Sequence, residues 1–159
     1  MKTKLLQLAA VVSTALYLVA TGAHLFELPR KMALSPADYM MMQQIYTGWQ
    51  WFGVAIGIAL LSTAAHTLLV RADRQACAPS LAALIGLAAT QAVFWAFTYP
   101  VNIATHFWTA FPEPFETARQ QWEYSHAASA LLTLAALIAM TMSALVHNQT
   151  GKGSSTSPA

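Results

Sequence analysis

Two short motifs combine a histidine with a glutamate at a spacing that puts both side chains on one face of an α-helix. His24 and Glu27 form an HxxE pair, and Glu123 and His126 form an ExxH pair. Residues three apart are neighbours on a helix surface, so each imidazole would lie beside a carboxylate. An imidazole exchanges protons near neutral pH, and a carboxylate can orient it or stabilise its charged form. The two pairs predict a proton-transfer site with His24 or His126 as the base.

The same pairs fit two other interpretations. Di-iron carboxylate proteins use an ExxH element on two of their bundle helices, and histidine pairs also hold haem. Here one ExxH and one reversed HxxE are present. Polar side chains buried between helices also hydrogen-bond simply to hold the helices together. Catalysis, haem or metal binding, and structural hydrogen bonding are therefore three open hypotheses, and the sequence specifies neither a cofactor nor a set of metal ligands.

Further polar and aromatic residues are candidates for binding a flat, apolar, aromatic molecule beside the histidines. An amide would hold a carbonyl oxygen, large rings would stack on the ligand, and another imidazole follows in the next loop. These candidates are Asn102 for the oxygen, Tyr17, Trp95 and Trp108 for the rings, and His106 in the loop.

The elements that position these residues follow from the distribution of charge. The chain has 159 residues, of which 57% are hydrophobic and 9% charged, whereas soluble domains carry roughly 25% charged residues. Four long stretches contain no charged residue: 5–26, 39–70, 75–112 and 124–151. Each can supply the ~20 apolar residues that cross a bilayer as a helix. The sequence therefore predicts an all-α fold, a bundle of four transmembrane helices in contact with the lipid bilayer.

The predicted spans are 5–27, 43–70, 80–101 and 121–146, within a single unit formed by residues 1–150. Ser35 is an expected N-cap and Pro36 the first residue of a helix that begins before the second span. The segment 71–79, which contains Cys77, is expected to be a loop, and 151–159 a disordered cytoplasmic tail. The first span also resembles a signal peptide, but its long apolar run favours retention as a helix.

Basic residues are unevenly distributed between the predicted loops. Lys2, Lys4, Arg71, Arg74 and Lys152 fall on one side of the membrane, and the more acidic loops fall on the other. The positive-inside rule places both termini in the cytoplasm, and in a bacterium the acidic loops would face the periplasm across the inner membrane. The net charge of +2 is small and scattered, which excludes a nucleic-acid-binding surface. The oligomeric state does not follow from the sequence.

Each predicted helix carries one polar or aromatic stripe, and these stripes are expected to face each other because lipid offers polar groups no partner. Gly53 and Gly57 form a GxxxG spacing that is typical of a close helix contact. The stripes are Thr14, Tyr17, Thr21 and His24; Gln43, Tyr46, Gln50, Gly53 and Gly57; Gln91, Trp95, Thr98 and Asn102; and Glu123, His126, Ser129 and Thr133.

The region 98–137 resembles a family of small four-helix membrane proteins that includes the fungal anthrone oxygenases. The resemblance rests on Pro100 and Asn102, which match a Pro-x-Asn at the end of helix three, and on Arg119 and Trp122, which match an Arg-x-x-Trp before helix four. Residues 23–29 look like the family's end of helix one. At the position of His126 the family more often has asparagine or another polar residue. The resemblance implies a four-span bundle and oxygenation of a polycyclic phenolic substrate.

The preferred hypothesis is an oxidoreductase-like site at the outer end of the bundle, which accepts an anthrone, quinol or related phenol from the membrane. Glu27 and Glu123 would orient or stabilise the imidazoles of His24 and His126. The alternatives are a non-enzymatic membrane module for assembly or partner binding, and a haem or metal protein that uses the histidine pairs.

Overall fold

The computed structural model describes residues 2–153, and this part of the chain contains α-helices and short helical turns but no β-strand. The elements, in chain order, are α1 (Lys2–Met32), α2 (Pro36–Gln43), two 3₁₀ turns (Gln44–Tyr46 and Trp49–Trp51), α3 (Phe52–Leu69), α4 (Arg74–Val93), a π-helical turn (Phe94–Thr98), α5 (Tyr99–Ala104) and α6 (Phe115–Gly153).

Four helical segments are long and apolar enough to cross a membrane: Thr3–Met32, Trp49–Leu69, Arg74–Ala104 and Phe115–Gln149. They form one bundle in which α1 packs on α3 and α6, and α4 packs on the same two helices. Neighbours around the bundle therefore follow the order α1, α3, α4, α6. The predicted all-α fold with four apolar spans is confirmed. The predicted tail begins inside α6, and its residues 154–159 lie outside the described part of the chain.

The first and last spans are longer than predicted. Helix α1 continues through Pro29 to Met32, because a proline near a helix end removes only one backbone hydrogen bond. Helix α6 begins at Phe115, more than one and a half turns before the predicted start at residue 121. These extra turns place Lys31 and Arg119 on helices of the bundle rather than in loops.

The predicted second span is interrupted at its start. Ser35 and Pro36 begin α2 as expected, and the Ser35 hydroxyl accepts a hydrogen bond from the Asp38 amide at 3.2 Å. The helix ends at Gln43, however, and α3 begins only at Phe52. Between them Gly48 has a φ of 95°, a conformation that residues with a Cβ rarely adopt. A continuous helix over 43–70 was therefore a wrong prediction.

The third span begins earlier than expected, at Arg74. The Asp73 carboxylate accepts hydrogen bonds from the amides of Gln75 and Ala76 and so caps the N-terminus of α4. Cys77 thus lies in the first turns of a helix, partly buried, and the prediction of a loop thiol was wrong.

The close helix contact lies at Gly86 in α4, not at the GxxxG pair. A Cβ added to Gly86 would meet the Ala136 Cβ at 3.3 Å and the Leu132 carbonyl oxygen at 3.4 Å. At Gly53 and Gly57 an added Cβ would meet no heavy atom within 4 Å. The spacing identified glycines on one helical face, but that face has no neighbouring helix at close range.

Candidate functional site

The end of the bundle where α1 terminates and α6 begins, which we call the α2 end, holds both histidines of the two sequence motifs. His24 from α1 is 4% exposed, and His126 from α6 is partly buried. Their ring centroids are 4.2 Å apart, with an angle of 33° between the ring planes. The Nδ1 atom of His24 is buried and makes no hydrogen bond within residues 2–153. Two imidazoles from different helices are thus in direct contact, with tilted ring planes, inside the bundle.

Aromatic rings surround this histidine pair. The Trp122 ring centroid lies 4.8 Å from that of His24 and 4.2 Å from that of His126. Tyr46 and Trp49, from the connection between α2 and α3, lie 4.5 and 5.7 Å from His24. Trp122 is held in place because its Nε1 donates a hydrogen bond to the Asn102 Oδ1 atom at 2.7 Å. The histidines therefore lie between flat apolar walls of fixed orientation.

The two glutamates of the motifs bond to partners other than the histidines. Glu123 is fully buried; its Oε1 atom lies 2.6 Å from the Lys31 ammonium and accepts a hydrogen bond from the Tyr39 hydroxyl at 2.8 Å. Glu27 accepts a hydrogen bond from the Tyr46 hydroxyl. The carboxylates thus fix a lysine and two tyrosines, of which Tyr46 packs on His24.

Lys31 is enclosed by aromatic faces as well as by its carboxylate. Its ammonium lies 4.6 Å from the Tyr46 ring centroid, 4.8 Å from that of Trp122 and 5.6 Å from that of Tyr39. Cation–π attraction adds to the ion pair at this buried position. Lys31 is 2% exposed, so its charge is a fixed part of the site rather than a surface charge.

The segment 36–46 closes over this end of the bundle. It contributes Tyr39 and Tyr46, and the Gln44 side chain donates a hydrogen bond to the Trp108 carbonyl at 3.0 Å. Burial, followed by the nearby Glu123 carboxylate, raises the pKa of Tyr39 far above its usual range. Burial and the hydrogen bond to Glu27 do the same to the pKa of Tyr46. Both hydroxyls therefore stay protonated and act as donors to the carboxylates.

The remaining candidates from the sequence are dispersed. Trp108 lies at the α2 end and Asn102 supports Trp122, but Trp95 is 60% exposed on the outside of the bundle. The π-helical turn Phe94–Thr98 shifts the helical register there, so Trp95 leaves the interior stripe while Thr98 stays in it. His106 is exposed in the loop after α5. Tyr17 is partly buried near the middle of the bundle, where Thr90 and Gln91 contact its hydroxyl.

Sequence reasoning missed Lys31, Tyr39, Tyr46 and Trp122 as members of the site. Lys31 and Tyr39 lie in segments interpreted as a loop and a helix start, where charged and aromatic side chains are ordinary. One signal could have identified Lys31. It lies one helical turn after Glu27 and would fall on the same polar face of α1 if the helix continued. The pairing of Lys31 with Glu123 depends on the packing of α1 against α6, two helices that are far apart in the sequence.

A second polar group lies at the opposite end of the bundle. His66 is completely buried, and its Nε2 atom lies 3.1 Å from the Ser143 hydroxyl, which donates to the Ala76 carbonyl at 2.6 Å. The ring centroids of His66 and His147 are 6.0 Å apart. These contacts join α3, α4 and α6. Within residues 2–153, no three histidine, cysteine, aspartate or glutamate side chains group closely enough to hold a metal ion.

An apolar groove opens on the outer surface between α1 and α6, at the level of the histidine pair. Its volume is about 340 Å³, and small residues form part of its wall. His24 lies in sequence between the lining residues Ala23 and Leu25, and His126 lies one helical turn before the lining residue Ala130. The groove is lined by Leu18, Val19, Gly22, Ala23, Leu25, Phe26, Ala130 and Leu134.

No family model, curated protein or solved structure matches this chain.

Proposed function

We propose that the chain is a membrane oxidoreductase that removes a proton from a flat phenolic or quinol-like molecule at the His24–His126 pair. The observation that carries this proposal is the contact of the two tilted imidazoles, with ring centroids 4.2 Å apart among aromatic side chains and the His24 Nδ1 atom free of any hydrogen bond in residues 2–153. A nitrogen held without a partner in an apolar site is available to a substrate proton. A structural histidine would normally be hydrogen-bonded.

The surroundings of the pair suit a neutral imidazole, which is the form that acts as a base. Lys31 is paired with Glu123, and Glu27 accepts a hydrogen bond from Tyr46, so both carboxylates are bonded to partners other than the histidines. Proton uptake converts an imidazole into an imidazolium. The resulting imidazolium and the substrate anion would form an ion pair, which a low-dielectric site favours over separated charges.

The groove between α1 and α6 supports a substrate that arrives through the lipid. It is apolar and opens to the surface where the bilayer lies, and its volume falls within the ~300–1,000 Å³ of small-molecule sites. Gly22 and Ala23 leave room there that larger residues would fill. A flat ring system entering this groove would approach the Trp122, His24 and His126 rings edge first, after local widening of the α1–α6 contact.

For an anthrone, the chemistry is balanced with dioxygen as the oxidant. The imidazole removes a proton from the ring methylene and leaves a carbanion. This carbon bonds to one oxygen atom of dioxygen, and cleavage of the O–O bond yields the ring carbonyl and one water molecule. The water takes both hydrogens that the methylene loses. The protein supplies the base and the binding surface, and the resemblance of residues 98–137 to the anthrone oxygenase family suggests the same reaction.

The orientation belongs to the same proposal. The α2 end would face the periplasm of a bacterial inner membrane, with both termini in the cytoplasm, since Lys2, Lys4, Arg71 and Arg74 lie at the opposite end.

The test is oxygen uptake by the purified protein in lipid nanodiscs, with a panel of anthrones and quinols. His24→Gln and His126→Gln should each lower kcat by roughly 10² if the residue is the base. His147→Gln, at the other end of the bundle, should leave uptake unchanged. Gly22→Leu should raise KM with little effect on kcat, because it fills the groove without a clash: an added Cβ meets only the Leu18 side chain, at 4.0 Å.

A merely structural role predicts a different pattern. His126→Gln would then be nearly silent, while His126→Leu would lower the free energy of unfolding by about 1–2 kcal/mol. Absence of uptake by the parent on every substrate of the panel would count against the enzyme, and full uptake in both glutamine variants would exclude the pair as the base.

A further inference from the structure

Trp108 is held at the α2 end by an unusual stretch of backbone. His106, Phe107 and Trp108 have φ values of 48°, 56° and 62°, so three consecutive residues with side chains occupy the left-handed region. Two of the hydrogen bonds that fix this turn involve the Trp108 backbone. The Trp108 amide donates to the Thr105 hydroxyl at 3.0 Å, and the Gln44 side chain donates to the Trp108 carbonyl at 3.0 Å. Strained backbone of this kind is typical of functional positions.

The turn directs the Trp108 indole into the interior. The side chain is 4% exposed and packs edge-on against Tyr39 and Trp122, at centroid distances of 5.2 and 5.7 Å. Its Nε1–H group makes no hydrogen bond within residues 2–153, whereas the Nε1–H of Trp122 is bonded to Asn102. A buried indole N–H normally has an acceptor.

Tyr39 also contacts a buried carboxylate that has an oxygen without a hydrogen-bond partner in residues 2–153. Glu123 uses its Oε1 atom for Lys31 and the Tyr39 hydroxyl, but its fully buried Oε2 atom accepts no hydrogen bond within the described chain. Tyr39 thus contacts both residues, through its ring to Trp108 and through its hydroxyl to Glu123. Gln43, 5% exposed, lies near the Tyr39 hydroxyl, and its buried amide Nε2 and Oε1 atoms make no hydrogen bond within residues 2–153.

We infer that Trp108 and Glu123, with Gln43 beside them, form a binding subsite for a hydroxyl group. The hydroxyl oxygen accepts a hydrogen bond from Trp108 Nε1, and the hydroxyl proton is donated to Glu123 Oε2. A carbonyl group would satisfy only the tryptophan, and an ammonium only the glutamate. The hydroxyl belongs either to a water molecule or to a lipid-soluble alcohol or phenol.

The subsite adjoins the proposed base without being part of it. Trp122 lies between them, with its ring centroid 5.7 Å from that of Trp108 and 4.2 Å from that of His126. The link to a substrate rests on the proposed function, since a phenol that stacks on Trp122 could place its hydroxyl in the subsite. The hydroxyl-binding chemistry itself is independent of any reaction.

The test is nuclear magnetic resonance of the five indole N–H groups, after ¹⁵N labelling of tryptophan, in detergent micelles. Trp108→Phe assigns the Trp108 signal. Trp122, bonded to Asn102, provides the reference for a bonded indole, and Trp51, which is 73% exposed, provides the reference for an indole on the surface of the bundle. A bound hydroxyl should place the Trp108 proton at the chemical shift of a bonded indole, protected from exchange. A shift typical of an unbonded indole, unchanged by every added alcohol or phenol, would overturn the inference.

Two probes separate the sources of the hydroxyl. A magnetisation-transfer peak from water to the Trp108 proton, with no response to 1-naphthol, identifies water. Saturable movement of the Trp108 signal with 1-naphthol identifies an organic hydroxyl, and 1-methoxynaphthalene, which has no proton to donate to Glu123, should bind roughly tenfold more weakly. Equal binding of the two probes would remove Glu123 from the subsite.

The outcome can be separated from that of the proposed function. If the Trp108 proton is hydrogen-bonded but the protein takes up no oxygen, the subsite is supported and the proposed oxidoreductase activity is contradicted. If the protein takes up oxygen but the Trp108 proton is unbonded and unchanged by every added alcohol or phenol, the activity is supported and the subsite is contradicted.

Discussion

The Lys31 ammonium on α1 lies 2.6 Å from the Glu123 carboxylate on α6, and the two side chains are 2% and 0% exposed. Charges in such a position are expensive to bury, and each is tolerated because the other is present. The pair joins the helices that also carry His24 and His126. It therefore helps to hold the two imidazoles side by side, although Glu123 bonds to Lys31 rather than to the histidine of its own motif.

Breaking this pair on one side should destabilise the bundle strongly. Glu123→Leu leaves the Lys31 charge buried without a counterion, and the free energy of unfolding should fall by about 3–5 kcal/mol. The double variant Lys31→Met with Glu123→Leu should recover most of that loss, since two apolar side chains need no partner. Denaturant titration in mixed micelles measures both. Glu116→Leu is the control, because Glu116 is 55% exposed in its pair with Arg119, and should cost about 1 kcal/mol or less.

A double variant as unstable as Glu123→Leu alone would show that Glu123 supports the fold through Tyr39 rather than through Lys31.

The stability of the protein should decrease at alkaline pH through Tyr39, which is buried, and Tyr46, which is partly buried. Burial and the adjacent carboxylates raise the pKa of Tyr39 and Tyr46 in the folded state above the unfolded value of about 10. Their contribution is therefore complete below pH 10 and is lost as the pH rises beyond it, by about 1.4 kcal/mol per pH unit for each tyrosine.

Thermal melts between pH 8 and 11.5 test this expectation. Replacement of both residues, Tyr39→Phe with Tyr46→Phe, should lower the melting temperature at pH 8 and make it less dependent on pH above 10. Tyr124→Phe, at an exposed position, is the matched control. Parallel pH profiles in the parent and the double variant would contradict the assignment.

The contact between α4 and α6 should be sensitive to side-chain size at Gly86. Gly86→Leu forces the new side chain against Ala136 and the Leu132 carbonyl, so the free energy of unfolding should fall by about 1–3 kcal/mol. Gly57→Leu has no heavy atom within 4 Å of the new Cβ and should be tolerated. Melting temperatures of the two variants in the same detergent give the comparison, and equal losses would place a helix neighbour at the GxxxG face instead.

The proposed orientation is accessible to reporter fusions. At the C-terminus, a reporter that works only in the cytoplasm should be active. Within 28–42 or 103–120, a reporter that works only outside the cytoplasm should be active. Cys77, near the N-terminus of α4, should resist membrane-impermeant maleimides in intact cells. Labelling of Cys77 from outside would reverse the orientation.

Much of the architecture was predictable because it depends on local composition. Four charge-free stretches are long enough to span a bilayer, and four helices of that kind are found. Thr14, Thr21, Ser129 and Thr133 are buried as the stripes predict, since lipid offers a hydroxyl no partner. Three of the four hydroxyls donate to a carbonyl one turn earlier in their own helix, so those bonds are local as well. The Ser35 cap is another local feature and was confirmed.

The tertiary structure decided what the motifs bind. The i, i+3 spacing placed each glutamate near a histidine, but a buried carboxylate gains more from a charged ammonium or a tyrosine hydroxyl, and Lys31, Tyr39 and Tyr46 come from other turns or segments. The same holds for Gly86, whose close contact depends on Ala136 across the interface, and for Trp95, which the π-helical turn rotates outward. Spacing along one helix determines which side chains share a face. What that face meets is determined only when the helices pack, because the partner lies elsewhere in the chain.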